Sequence, residues 1–144
     1  MTKTLYTAEA TVTGGRKAGH GRTSDGNLEV DIRPPKEIGG DGTGTNPEQL
    51  FAVGYAACFE SALSLVAQRM KIEADDASID SRVHLQPTEE RGFKLAVEMD
   101  VTLPSLEDEQ AVELVGAAHK VCPYSNATRG NIDVEFTANG QPVG

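Results

Sequence analysis

Cysteine is the side chain in this sequence best suited to covalent chemistry, and there are two of them, Cys58 and Cys122. They stand too far apart for any zinc-binding spacing. Two readings of the pair remain open: inert thiols within a core, where free cysteine often lies, or a redox couple. A permanent structural disulfide is disfavoured in a reducing compartment. Met1 to Glu9 has no basic start followed by an apolar run, so it does not read as a signal peptide, and a cytoplasmic location is expected. Thiol redox chemistry needs the thiolate, and apolar surroundings hold a thiol protonated. A nucleophilic cysteine here therefore calls for a nearby cation. Arg16, Arg22, Arg33, Arg69, Arg82, Arg91 and Arg129 are the candidates, and spacing alone does not choose among them. A buried arginine would in turn need a carboxylate. His20, His84 and His119 are scattered and read as structural or surface residues.

Two helices must carry the thiols. The first starts where Asn46 can cap, Pro47 suits the first helical position and Gln49 completes a capping box. It is expected to run to about Met70. From Leu50 to Phe59 it is apolar on all sides, so it has to be covered all round. One small sheet covers one side, which hints at a second subunit on the other. Cys58 shares a face with Phe51, Tyr55, Ala62 and Leu65. The second helix is expected from near Ser105, with Glu107, Asp108 and Glu109 in its first turn, where the helix dipole favours them. It stops near Cys122 because Pro123 pushes its predecessor out of the helical region. Ala111, Val115, Ala118 and Cys122 lie along one face. If the two helices pack face to face, the thiols meet; a disulfide needs their alpha carbons within about 7 Å.

Alternating apolar and polar residues mark the strands. Thr4 to Thr13 is a weak one, and Leu28, Val30 and Ile32 mark another. Ile79, Val83 and Leu85 and then Phe93 to Leu103 read as an antiparallel hairpin turning at Glu90-Arg91-Gly92. Ile132, Val134 and Phe136 form the last. The fold class is α+β, an antiparallel sheet with two main helices, in a single domain over residues 1–144. The loop Gly39-Gly40-Asp41-Gly42-Thr43-Gly44 lacks the Gly-Lys-Ser/Thr ending of a phosphate loop, and Asp41 repels phosphate. The formal net charge of −9 disfavours nucleic acid and anionic membrane surfaces as partners. The longest uninterrupted apolar stretch, Leu50 to Phe59, falls well short of the roughly 20 residues of a membrane span.

Three segments carry a resemblance. They are Gly14-Gly15-Arg16; Gly44-Thr45-Asn46-Pro47-Glu48-Gln49-Leu50-Phe51 followed by Gly54-Tyr55-Ala56-Ala57-Cys58-Phe59; and Val121-Cys122-Pro123-Tyr124-Ser125-Asn126-Ala127-Thr128-Arg129-Gly130-Asn131. Through them the chain resembles, over nearly its whole length, the organic hydroperoxide resistance proteins, the Ohr subfamily of the osmotically inducible protein C (OsmC/Ohr) superfamily. The segment at Cys122 is specific, because the sister subfamily keeps the cysteine and proline without the Tyr-Ser-Asn-Ala-Thr run. The resemblance implies an OsmC-like α+β fold, an intertwined homodimer and a thiol peroxidase without metal or haem. It implies reduction of organic hydroperoxides to alcohols, with Cys58 as the peroxidatic cysteine and Cys122 as the resolving one. Arg16 matches the arginine that holds the thiolate, and Glu48 its carboxylate partner. It also implies regeneration by a dithiol, protein-bound dihydrolipoamide on a lipoylated protein.

These roles make physical sense. A guanidinium beside Cys58 lowers the thiol pKa and stabilises the alkoxide leaving group. A bidentate pair with Glu48 fixes the Arg16 fork. The Cys58 sulfenic acid then condenses with Cys122, which blocks overoxidation. We read Phe51, Tyr55 and Tyr124 as an apolar mouth that favours alkyl and lipid hydroperoxides over hydrogen peroxide. Two other classes of function compete: a carrier with an apolar pocket for a small ligand and two inert cysteines, and a redox sensor whose disulfide changes a partner surface.

Overall fold

The structure is a computed structural model that describes residues 2–15 and 17–144. It divides into two compact units, Met1–Leu50 and Phe51–Gly144. Unit 1 holds an antiparallel sheet of β1 (Ala10–Thr13), β2 (Gly19–Thr23) and β3 (Glu29–Ile32), in that spatial order. Asp25 shapes the β2–β3 turn by accepting hydrogen bonds from the Thr23 hydroxyl and the Asn27 amide. On one face of the sheet His20 lies between Asp31 (3.0 Å) and Glu29 (2.8 Å), which hold its imidazole above its ordinary pKa. The strand expected from Thr4 is shorter. β1 pairs only from Ala10, opposite Thr23, where β2 ends in that turn. Leu5 and Tyr6 ahead of it are 92% and 78% exposed.

After a 3₁₀ turn at Lys36–Ile38, α1 runs over Pro47–Arg69. Its start is as expected: the Asn46 side chain accepts the Gln49 amide at 2.9 Å. The reciprocal half of the capping box is not made, because the Gln49 side chain accepts the Thr45 hydroxyl at 2.7 Å.

In unit 2 the sheet runs β4-β5-β6-β7. β4 (Ser78–Pro87) and β5 (Phe93–Thr102) form the long hairpin, and Arg91 sits in the left-handed region at its turn (φ 67°). α2 (Asp108–Val121) and α3 (Pro123–Thr128) then cross over to β6 (Val134–Ala138), which lies parallel to β5. The sheet is thus mixed, and three α-helices replace the two expected. α2 begins three residues later than expected, since Leu103 to Leu106 form a turn and Ser105 donates to Asp76. α3 was hidden by Pro123, which ends one helix and occupies the first position of the next. β7 (Gln141–Val143) is a further addition. Asn139-Gly140, both at positive φ, makes the tight hairpin turn that leads into it.

The core of unit 2 gathers residues from both long helices and the sheet. α1 buries Tyr55, Phe59, Ala62, Leu63, Val66 and Ala67, a helical stripe. α2 buries Ala111, Leu114, Val115 and Ala118. The sheet contributes Val97, Met99, Val101, Phe136 and Ala138. Burial of Phe59 and Leu63 contributes about 1.5–3 kcal/mol each. The expected stripe through Leu65 is displaced by this packing: Leu65 is 42% exposed and Val53 70%. By length and composition α1 is apolar enough to cross a membrane, against the expectation drawn from its uninterrupted apolar run. Only Glu60 and a few small polar residues interrupt it before Gln68, and its apolar stripe is packed in the core.

Candidate active site

Cys58 lies in the fourth turn of α1, and Cys122 is the single residue between α2 and α3. Proline at 123 cannot donate a backbone hydrogen bond and disfavours helix at the preceding position. Cys122 is accordingly extended (φ −67°, ψ 125°). That bend carries its sulfur to the sulfur of Cys58, 3.7 Å away across 64 positions of sequence. Both thiols are free. Their surroundings differ, since Cys122 is fully buried and Cys58 partly exposed.

Burial pushes the Cys58 thiol above its ordinary pKa. The Tyr124 amide, at the start of α3, pulls the other way, and the neighbouring Cys122 raises it further because two thiolates so close would repel. Among the described residues no cation contributes. Arg82 is held by Asp100 (2.7 Å) and Glu98 (3.6 Å), Arg129 donates to the His119 carbonyl, and Arg69 and Arg91 are exposed. In unit 1, Arg33 donates to the Gly19 and Ile32 carbonyls, and Arg22 lies 3.8 Å from Glu29. Arg16 lies outside the described residues. Glu48, at the second position of α1, lines a cavity of about 250 Å³ in unit 1 together with Arg33, Ile38 and Asn46.

An aromatic group flanks the thiols in unit 2. Phe51, Tyr55 and Tyr124 contact one another with ring centroids 5.6–6.0 Å apart. Phe51 and Tyr124 line a groove of about 600 Å³ with Phe93, Leu95, Ala127 and Ile132. Tyr55 does not line it. Its ring is fully buried one layer behind, and its hydroxyl bonds to Ser125 (2.9 Å) and Thr128 (3.1 Å). A phenol in so apolar a place has to find such partners. Gly54 allows Tyr124 to lie against α1, because a Cβ there would fall 2.8 Å from the Tyr124 hydroxyl oxygen. Sequence reasoning missed Gly54, Ser125 and Thr128. The signal for the last two was a pair of hydroxyls three apart directly after the proline. His119 is partly buried, its ring 4.8 Å from that of Phe136, and burial with the Arg129 charge holds its imidazole below the ordinary pKa.

A family model described as OsmC-like protein matches residues 40–137. The organic hydroperoxide resistance protein of Xanthomonas axonopodis pv. citri is 50% identical over 137 residues, covering 94% of this chain and 95% of its own. The organic hydroperoxide resistance protein OhrB of Bacillus subtilis is 52% identical over 133 residues, covering 92% and 96%. The crystal structure of an organic hydroperoxide resistance protein from Legionella pneumophila superposes with a TM-score of 0.89 at 53% identity, covering 93% of this chain and 97% of its own. The α+β fold is thus that of the OsmC-like proteins. Within that family the chain belongs to the organic hydroperoxide resistance proteins.

Proposed function

We propose that the protein is a thiol-dependent peroxidase that reduces alkyl and lipid hydroperoxides to alcohols in defence against oxidative stress. The observation that carries this reading is the 3.7 Å thiol pair in which one member is partly exposed and the other buried. The partly exposed Cys58 thiolate attacks the terminal oxygen of the hydroperoxide. The O–O bond breaks, the alkoxide takes a proton and leaves as alcohol, and Cys58 becomes a sulfenic acid. The buried Cys122 then attacks the Cys58 sulfur. A disulfide forms, the S–O bond breaks and hydroxide leaves, protonated to water. Arg16, paired with Glu48, supplies the charge that the thiolate needs. The apolar groove at Phe51 and Tyr124 takes the organic part of the substrate. The same fold and pair would suit a sensor or a carrier, and turnover separates them. With excess cumene hydroperoxide and a dithiol, the peroxidase consumes peroxide continuously, whereas a sensor reacts once and a carrier not at all.

A second copy of the chain completes this reading. Val53 and Leu65 of α1 are left uncovered, and a homodimer would bury them. A reducing cytoplasm would keep the thiols in their active form between cycles.

The reductant follows from the same surroundings. With Cys122 fully buried, the disulfide is recessed in a water-poor site. Glutathione would bring carboxylates toward a chain of net charge −9. It would also leave a mixed disulfide that needs another thiol. A slender apolar arm with two adjacent thiols delivers the second with the first, at high effective concentration. Turnover is therefore expected to be rapid with protein-bound dihydrolipoamide and at least about tenfold slower with glutathione at equal thiol concentration. Glutathione matching the lipoyl dithiol under those conditions would refute the pocket argument and leave the peroxidase reading standing.

A further inference from the structure

We propose that the Tyr55 hydroxyl is a positioning group for disulfide closure, pinning α3 to α1 so that Cys122 meets oxidised Cys58 before a second peroxide does. The inference rests on the peroxidase reading above. Tyr55 lies one turn before Cys58 on α1, and Ser125 and Thr128 lie one and two turns after Cys122 on α3. Their side chains form one buried hydroxyl cluster. Tyr55 bonds Ser125 at 2.9 Å and Thr128 at 3.1 Å, and the Thr128 hydroxyl donates to the Ser125 carbonyl at 3.3 Å. Exposure is 0% for Tyr55 and Ser125 and 6% for Thr128, so water does not substitute for these bonds.

Packing alone does not require the hydroxyl. Phenylalanine would fill the same space against Phe51, Tyr124 and Phe136. What the hydroxyl adds is a fixed place for α3. That helix has six residues, too few to hold itself, and it begins directly after the resolving cysteine. Its first turn also carries the Tyr124 amide that faces the Cys58 sulfur. Closure requires the sulfurs to approach by about 1.7 Å, from 3.7 Å to a bond of about 2.0 Å. Cys58 is held within a long helix, so the Cys122–Pro123 joint takes up that movement. An anchored α3 confines the joint to the productive direction. A loose α3 lets the Cys122 sulfur drift while the sulfenic acid waits. The first step does not use Cys122, and the anchor bears on it only through the Tyr124 amide, so it depends on the anchor less than closure does.

The test uses Tyr55→Phe, Ser125→Ala, Thr128→Val and Thr128→Ser in the full chain. Rapid quench with cumene hydroperoxide and mass spectrometry follow thiol loss, disulfide and sulfinic acid separately. Tyr55→Phe and Ser125→Ala are expected to lose the Cys58 thiol within about twofold of the parent rate, whereas Thr128→Val, whose side chain also lines the Phe51–Tyr124 groove, is read on closure alone. All three should close the disulfide about tenfold more slowly and accumulate correspondingly more sulfinic acid. Thr128→Ser keeps the hydroxyl and restores closure. The equilibrium of the Cys58–Cys122 disulfide with dithiothreitol gives a reading independent of peroxide, and the same three variants should shift it about tenfold toward the dithiol. Unchanged closure and an unchanged dithiothreitol equilibrium would overturn the proposal. So would both chemical steps slowing equally with a fall in Tm, which marks a merely structural role. If the parent chain itself forms no sulfenic acid, the peroxidase reading fails, and the dithiothreitol equilibrium alone decides whether the anchor exists.

Discussion

Cys58→Ser reduces peroxide consumption to the uncatalysed background, whereas Cys122→Ser still reacts once. The expectation follows from unequal burial: Cys58 is partly exposed and Cys122 completely buried. A hydroperoxide can reach the first sulfur and not the second. Serine at 58 removes the nucleophile, because a hydroxyl is not ionised near neutral pH and is a far weaker attacker on oxygen than a thiolate. Serine at 122 leaves the first step intact, and the Cys58 sulfenic acid that forms has no intramolecular thiol to meet. It stalls, then climbs to sulfinic acid as peroxide is added. Single-turnover quench with intact-mass analysis reads this directly. Cys122→Ser should gain the mass of one oxygen and later of two, and Cys58→Ser none. The reverse pattern would exchange the two roles.

Arg16→Ala raises the pKa of Cys58 and moves the pH–rate profile for oxidation toward alkaline pH. Burial already pushes this thiol up, and the Tyr124 amide offsets that only in part, so a working thiolate depends on a cation. An opposite charge within a few ångströms lowers a pKa by about 1–3 pH units, and its removal returns that amount. The sign follows from the thiolate being the reactive form. At a pH below the thiol pKa, each unit of increase costs about tenfold in rate, and the loss vanishes above the new pKa. Glu48→Ala acts in the same direction and less strongly, by freeing the Arg16 fork. Thiolate absorbance during titration gives the pKa without reference to peroxide. A curve for Arg16→Ala that overlays the parent's would remove Arg16 from the site.

The positions of both thiols were legible in the sequence because local chemistry dictates them. Asn46 and Pro47 start α1, Pro123 ends α2, and helical periodicity then puts Cys58 and Cys122 on apolar faces. That they meet is a matter of packing, which periodicity permits without requiring. What lay hidden was set by contacts between distant residues. The parallel placement of β6 beside β5 depends on the crossover, not on the alternation of either strand. β7 is only three residues long and contains Pro142, so it has no periodicity to read. Tyr55 has a phenol that suits a pocket wall as well as a buried anchor. Only the position of Ser125, 70 residues away, decides between them.

The 64 positions between Cys58 and Cys122 also have a consequence for the chain during its synthesis. At roughly 5–20 residues per second, Cys58 emerges about 3–13 s before the residue that is to protect it. Over that interval the α1 segment has no α3 to pack on and no second thiol within reach. A nascent chain that meets peroxide then can proceed only to the irreversible acids of Cys58 or to a mixed disulfide with a small thiol. On the proposed mechanism the safeguard of the folded protein is absent from the growing one, and oxidant present during translation is expected to damage newly made copies more than mature ones.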